Sequence, residues 1–185
     1  MSTDKPVVEK TVEEKPMVEG FESPISLHYT FAAGRATSKF LKEIRQGHIV
    51  GQRSPVTGKV TVPPRGSCPE SGVPTEEEVT LVDTGTIITF TIVHIPIPNS
   101  PVKPPFIVAN IVLDGADQTF GHLVAECKNE DIQIGTRVKA VWRDKSEWGY
   151  SLENIKYFVP LDEPPVDIEA LHKQRLQETE KYRHA

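Results

Sequence analysis

Apolar residues along this chain change their period from helical to alternating, and the change marks the elements. Between Ala36 and Gln46 they fall at Phe40, Leu41 and Ile44, with Thr37 or Ser38 as a candidate cap and Gly47 as a left-handed stop. That spacing predicts a helix of about three turns. Next, Ile49–Arg53 and Lys59–Val62 flank the turn-rich Ser54-Pro-Val-Thr-Gly58, which reads as a hairpin. Alternation then takes over: Ile88, Phe90 and Ile92 share one face of a strand over Thr86–Ile95, and Ile107, Ala109, Ile111 and Leu113 share one over Phe106–Leu113. Further strands are expected at Thr119–Ala125, Arg137–Arg143 and Ser151–Val159, with Asp114-Gly115 as a tight turn between two of them. Several short strands with no long helix between them predict a mainly β protein, either a Greek-key sandwich or an OB-like barrel.

The ends follow other rules. Residues 1–20 mix Val, Glu, Lys and Pro without a period and are expected to form a flexible tail. In residues 21–35, Ile25, Leu27, Tyr29 and Phe31 alternate, as in an extended segment lying along a partner or in a short edge strand. Residues 161–185 begin as a proline-bearing connector and continue with helix formers over Ile168–Arg183. There Ile168, Leu171, Leu176 and Tyr182 make no continuous stripe, so the helix is expected docked on a partner or loose. The loop 95–106 holds five prolines between apolar groups and suits a partner surface, the wall of an acyl channel or a crossover above the barrel mouth.

Composition narrows the classes. The 185 residues suit one domain, and the net charge of −5 is concentrated at the two ends, leaving residues 21–161 nearly neutral. No apolar run reaches the ~20 residues of a membrane span and Met1-Ser-Thr-Asp-Lys-Pro has no signal-peptide character, so a cytoplasmic protein is expected. Cys68 and Cys127 are then separate thiols. Aromatic residues are only 7% and no basic cluster interleaves with them, which argues against nucleic acid; Trp142 shares a face with Val138 and Ala140 and reads as core, while Trp148 could stack. Sequence motifs for a nucleophile elbow, a phosphate loop or a preformed metal grip are absent. Strand histidines His94 and His122 read as half-buried, hydrogen-bonded residues.

The chemistry of greatest interest is a set of four positions. Ser54, Thr57, Cys68 and Ser71 have the spacing of a four-cysteine zinc ribbon, with one cysteine left. Hydroxyls do not replace thiolates, so no metal is expected, and Pro55, Pro69 and packing of Val56 and Val60 are expected to hold the loops. Together with Phe40-Leu-Lys-Glu-Ile-Arg-Gln-Gly47, Gly51-Gln-Arg53, Pro63-Pro-Arg-Gly66, Gly85-Thr-Ile-Ile-Thr-Phe-Thr91 and Asp131-Ile-Gln-Ile-Gly135, this resembles the zinc-ribbon plus OB-fold proteins that accompany acyl-CoA thiolases and thiolase-like aldolases.

The resemblance implies a helix plus degenerate rubredoxin-like ribbon over 36–82 and an OB barrel over 83–160. It implies a non-catalytic accessory subunit, in a hetero-oligomer with a thiolase-like chain of the lipid-transfer-protein type. Coenzyme A thioester is then the substrate of the complex, for thiolysis or retro-aldol cleavage in lipid, steroid side-chain or aromatic degradation, with no tightly bound cofactor. Arg53, Lys59 and Arg65 are the candidate CoA phosphate contacts, because guanidinium offers bidentate geometry and ammonium a point charge. A single-stranded nucleic-acid binder and a freestanding acyl-CoA binding protein are the alternatives.

Overall fold

The structure, a computed structural model, describes residues 20, 23–30, 32–96 and 100–183. Two units are distinguished, Met1–Ala32 and Ala33–Ala185. In the first, the described residues 20, 23–30 and 32 form neither helix nor strand, and Ile25, Leu27 and Tyr29 are exposed. The tail expected over 1–20 lies, apart from Gly20, outside the described residues.

Helix α1, Gly34–Ile44, opens the second unit. It begins two residues earlier than expected and has no side-chain cap, so Thr37 and Ser38 lie inside it. Gly47 ends the turn at φ 85°, where a Cβ would stand 2.9 Å from the Trp148 ring. Phe40 and Ile44 are the buried face.

The ribbon is a three-stranded antiparallel sheet, with β1 (Ile49–Arg53) between β2 (Val60–Thr61) and β3 (Glu77–Leu81). Strand β3 was not anticipated, because Glu77-Glu-Val-Thr-Leu81 opens on two exposed acids and its apolar alternation is only Val79 and Leu81. Its register against β1, from Ile49↔Leu81 to Arg53↔Glu77, is what makes it a strand.

Five strands close the barrel in the order β4-β5-β6-β8-β7: β4 (Thr84–Val93), β5 (Phe106–Leu113), β6 (Thr119–Val124), β7 (Arg137–Trp142) and β8 (Ile155–Pro160). This closed five-stranded barrel is the OB-like alternative, and the sandwich is excluded. Inside it Ile87, Ile111, Leu113, Val138 and Phe158 have no solvent exposure. Each such side chain contributes roughly 1.5–3 kcal/mol by leaving water. Strand β4 corrects one expectation: Ile87, and not Ile88, is the buried residue. A register shift between Ile87 and Thr89 puts odd-numbered residues inside before it, while Phe90 and Ile92 pack on the core after it. One extra residue in a strand inverts the faces beyond it.

Polar ties join the ribbon and α1 to the barrel, and one braces the barrel itself. Asp117 accepts from the Val60 N–H at 2.7 Å and its own N–H donates to Val60 O at 2.9 Å. Asn154, 2% exposed, donates to Ile44 O at the end of α1 and to Gly149 O, and accepts from Gly149 N. Arg137 grips Asp114 with two nitrogens at 2.6 and 2.7 Å, and that contact raises its pKa.

Helix α2, Ile168–Glu180, is capped by Asp167 and docks on this chain's own ribbon. Arg175 donates to Asp117 and to Gly115 O, Thr179 is buried, and the Tyr182 ring lies 3.7 Å from the Arg53 guanidinium carbon. Gly58 makes the approach possible, since a Cβ there would stand 2.2 Å from Thr179 O. The missing apolar stripe is explained by this polar seat. None of the described helices is long and apolar enough to cross a membrane.

Candidate functional site

The two ribbon loops are built alike, and the signal was in the sequence. Ser54-Pro-Val-Thr-Gly58 and Cys68-Pro-Glu-Ser-Gly72 share the form x-Pro-x-[Ser/Thr]-Gly. In each, the glycine at the fifth place has φ 72° and donates back to the first carbonyl, Gly58 N to Ser54 O at 2.9 Å and Gly72 N to Cys68 O at 2.8 Å. In each, the first N–H donates to the carbonyl of the sixth residue, Ser54 N to Lys59 O and Cys68 N to Val73 O. The loops are therefore closed by their own backbone. Val60 is fully buried as expected, but Val56 is 45% exposed and does not pack the loop.

Folding brings three of the four positions to one cleft of about 120 Å³, in which Ser54, Thr57, Lys59, Cys68 and Glu70 meet Asp117 from the barrel, while Ser71 is exposed beside it. Ser54 Oγ accepts from the N–H groups of Val56 and Thr57 at 3.3 and 3.1 Å. With both lone pairs so engaged, the hydroxyl proton is left to donate. The Cys68 sulfur is where it goes. Burial acts to raise this thiol's pKa, but hydrogen bonds from Ser54 and Ser71, then from the backbone of Ser71 and Glu70, outweigh it and hold the group at about 6. Thr57 Oγ1 lies 3.9 Å from the same sulfur.

This donor set does not fit Zn²⁺. A structural zinc needs four strong ligands, and one thiolate among hydroxyls supplies one. No group of three or more His, Cys, Asp or Glu able to hold a metal occurs among the described residues. No histidine lines the cleft, and its ionisable neighbours are engaged elsewhere, Lys59 with Glu70 and Asp117 with Arg175.

Of the three expected phosphate contacts, two are engaged within the protein. Arg53 donates to Glu77 at 2.9 Å and to Gly58 O at 3.1 Å under the Tyr182 ring, with its side chain 12% exposed. Lys59 is paired with Glu70. Arg65 is exposed and has no hydrogen bond or ion pair to any described residue.

Elsewhere, His94 is exposed, unlike its expected half-burial. His122 is half-buried between Phe120 and Phe158 with Nδ1 unpartnered among the described residues; burial lowers its pKa, with backbone groups of Leu123 and Leu152 acting the other way. Cys127 is a free, half-buried thiol whose pKa burial and then Asp131 push up. Trp142 packs against the core and donates to Asp83; Trp148 donates to Arg143 O and tilts against Trp142 at 5.4 Å. A cavity of about 640 Å³ lies along β5, β6 and β8, between Pro101-Val102 on one side and Arg143 and Glu153 on the other.

A helix, a ribbon whose donor set does not fit zinc and a closed OB barrel define a ribbon-plus-OB module. The family model described as "ChsH2, C-terminal OB-fold domain" matches residues 78–143. A "DUF35 domain-containing scaffold protein" of Methanocaldococcus jannaschii is 34% identical over 102 residues, which are 55% of this chain and 72% of that protein. The chain belongs to this DUF35 family of ChsH2-type OB-fold proteins. Two solved structures share the fold. The Ltp2-ChsH2(DUF35) aldolase matches with a TM-score of 0.53 at 22% identity, covering 71% of this chain and 98% of that one. A DUF35 family protein of unknown function from Sulfolobus solfataricus matches with a TM-score of 0.51 at 17% identity, covering 69% and 84%.

Proposed function

We propose that this chain is a non-catalytic accessory subunit of a thiolase-like acyl-CoA enzyme, of the lipid-transfer-protein type, and that it helps bind or position the CoA thioester. The observation that carries this reading is family membership through a relative named as a scaffold protein, supported by a shared fold with a ChsH2(DUF35) chain of an aldolase. The cleft is consistent with a supporting role, since its thiolate is held by hydroxyls and the carboxylates beside it, Glu70 and Asp117, are paired with Lys59 and Arg175. The chemistry, thiolysis or retro-aldol cleavage of a lipid, steroid side-chain or aromatic thioester, then resides in the partner. The protein works in the cytoplasm and binds neither nucleic acid nor membrane.

Coexpression with the thiolase-like partner, followed by size measurement and assay with and without this chain, tests the proposal. A stable hetero-oligomer and a partner that is weak or inactive alone are expected; turnover of a CoA thioester by this chain by itself would overturn it. Within that complex, Arg65 is the first candidate for a CoA phosphate, because Arg53 and Lys59 would have to give up Glu77 and Glu70. Arg65→Ala is expected to raise KM by up to about tenfold with little change in kcat, as loss of a uniform, solvent-exposed contact requires. Unchanged kinetics with the complex intact returns Arg65 to a surface charge.

A further inference from the structure

Between Ser23 and Gly34 the chain carries no Asp, Glu, Lys or Arg, although 25% of the whole sequence is charged. Within that stretch Ile25, Leu27, Tyr29 and Phe31 alternate with Ser26, His28 and Thr30, the period of a strand with one apolar and one polar face. Its described residues 23–30 form neither helix nor strand, and Ile25, Leu27 and Tyr29 are 80%, 76% and 76% exposed. The polar side is arranged as that period requires. Ser26 Oγ and His28 Nε2 lie 3.1 Å apart, as side chains at i and i+2 do on one side of an extended chain.

A segment that stays in water on its own account is rich in charge, and an exposed β-forming stretch without charge invites pairing unless something covers it. A second copy of this chain offers no suitable cover. The five barrel strands close on one another, and of the two edges of the ribbon sheet β2 is only two residues long. The other edge, β3, opens on Glu77 and Glu78, charges of the kind that guard an edge against a further strand. The segment also lies outside residues 78–143, which the family model matches. Charges of opposite sign flank it, Glu19 and Glu22 before and Arg35 and Lys39 after.

We propose that the segment 23–30 is a docking strand, which adds to an open sheet edge of the thiolase-like partner and places Ile25, Leu27 and Tyr29 in apolar pockets there. In such additions main-chain hydrogen bonds supply the affinity, and pockets for alternate side chains supply the specificity. The partner's edge carries basic groups where Glu22 falls and acidic groups where Arg35 falls. The identity of the partner rests on the function proposed above; the alternation and the uncharged stretch stand without it.

Full-length protein coexpressed with the thiolase-like subunit tests this, with affinity read by size separation over a dilution series and the segment followed by hydrogen exchange. Ile25→Asp and Leu27→Asp are each expected to weaken the complex by about thirtyfold or more, the scale of an anchor residue. Ser26→Asp and Thr30→Asp, on the polar side, are expected to change it by less than about threefold. All four should leave Tm unaltered, since each of these positions is exposed in the protein. Amides of residues 25–28 should gain protection only in the complex. The proposal is overturned if both apolar-side variants keep wild-type affinity, or if substitutions on the two sides weaken the complex alike. It is overturned as well if those amides are protected in the isolated chain, because the segment then rests on its own protein, or if the wild-type chain alone forms a dimer that Leu27→Asp dissolves. Apolar-side variants that bind normally leave the accessory-subunit reading standing; a wild-type chain that forms no complex at all overturns that reading and the proposal together.

Discussion

In the barrel, Ile87, Ile111, Leu113, Val138 and Phe158 have no exposure, whereas in the ribbon Val56 and Val73 at the loop tips are 45% and 38% exposed. The barrel is held by apolar area taken out of water, a non-directional force that tolerates modest repacking. The ribbon shares that core through Ile49, Val60, Val62 and Leu81, but its loops and its seams with α1, α2 and the barrel rest on directed bonds: backbone closures in each loop, Ser54 on two amides, Asp117 on Val60 and Arg175, and Asn154 on the end of α1. A zinc ion would have supplied a cross-link between the two loops. Without fitting ligands for one, the ribbon depends on its neighbours, the turn after β5 and helix α2. Backbone hydrogen bonds of this kind define the two loops without any contribution from a metal.

That contrast can be broken most severely from the barrel side. Phe158→Ala is expected to cost about 3–5 kcal/mol of unfolding free energy, the range for emptying a well-packed core position. Urea denaturation followed by tryptophan fluorescence measures it, and a cost under 1 kcal/mol would mean that the barrel core is not the principal source of stability.

From the ribbon side, Asp117→Ala removes the partner of Arg175 and the acceptor for Val60 N–H in one step. Breaking a well-buried ion pair costs about 3–5 kcal/mol. The Arg175 side chain is 17% exposed and keeps Glu178, so about 2–3 kcal/mol is expected. Hydrogen exchange should show α2 amides losing protection before those of the barrel; equal loss in both would remove the distinction between them.

A smaller effect sharpens the comparison through pH. The Cys68 thiol is held at about 6 in the folded protein, below its ordinary value near 9.0. A depressed acid contributes stability that is fully present above the unfolded pKa and is lost as pH falls through the folded one. Stability should therefore rise between pH 6 and pH 9 in wild type and rise less in Cys68→Ser. Denaturation midpoints across that window give the slopes, and parallel slopes would show that the hydroxyls do not hold a thiolate. The smallest effect expected is none: a chelator leaves Tm unchanged, and elemental analysis finds well under one zinc per chain. Stoichiometric zinc would falsify the account of the cleft.

Much of this was legible locally. The helix with its Gly47 stop, seven of the strands and the four ribbon positions follow from periodicity, turn residues and spacing, because those signals act within a few residues of themselves. The repeated x-Pro-x-[Ser/Thr]-Gly form was equally present in the sequence and explains loops that hydrophobic packing does not. Positions distant in the chain were decided only by folding. Strand β3 exists because β1 offers it a partner, Ile88 turns outward because of a bulge, and α2 is seated by Arg175 on Asp117, 58 residues away. Arg53 looked like an open cation in the sequence, yet Glu77, Gly58 O and Tyr182 surround it. The cavity along β5, β6 and β8 is likewise assembled from four separated stretches of chain. A residue's type and period determine which element it can join; which groups remain open to a ligand is determined by what the closed barrel and the docked helix cover.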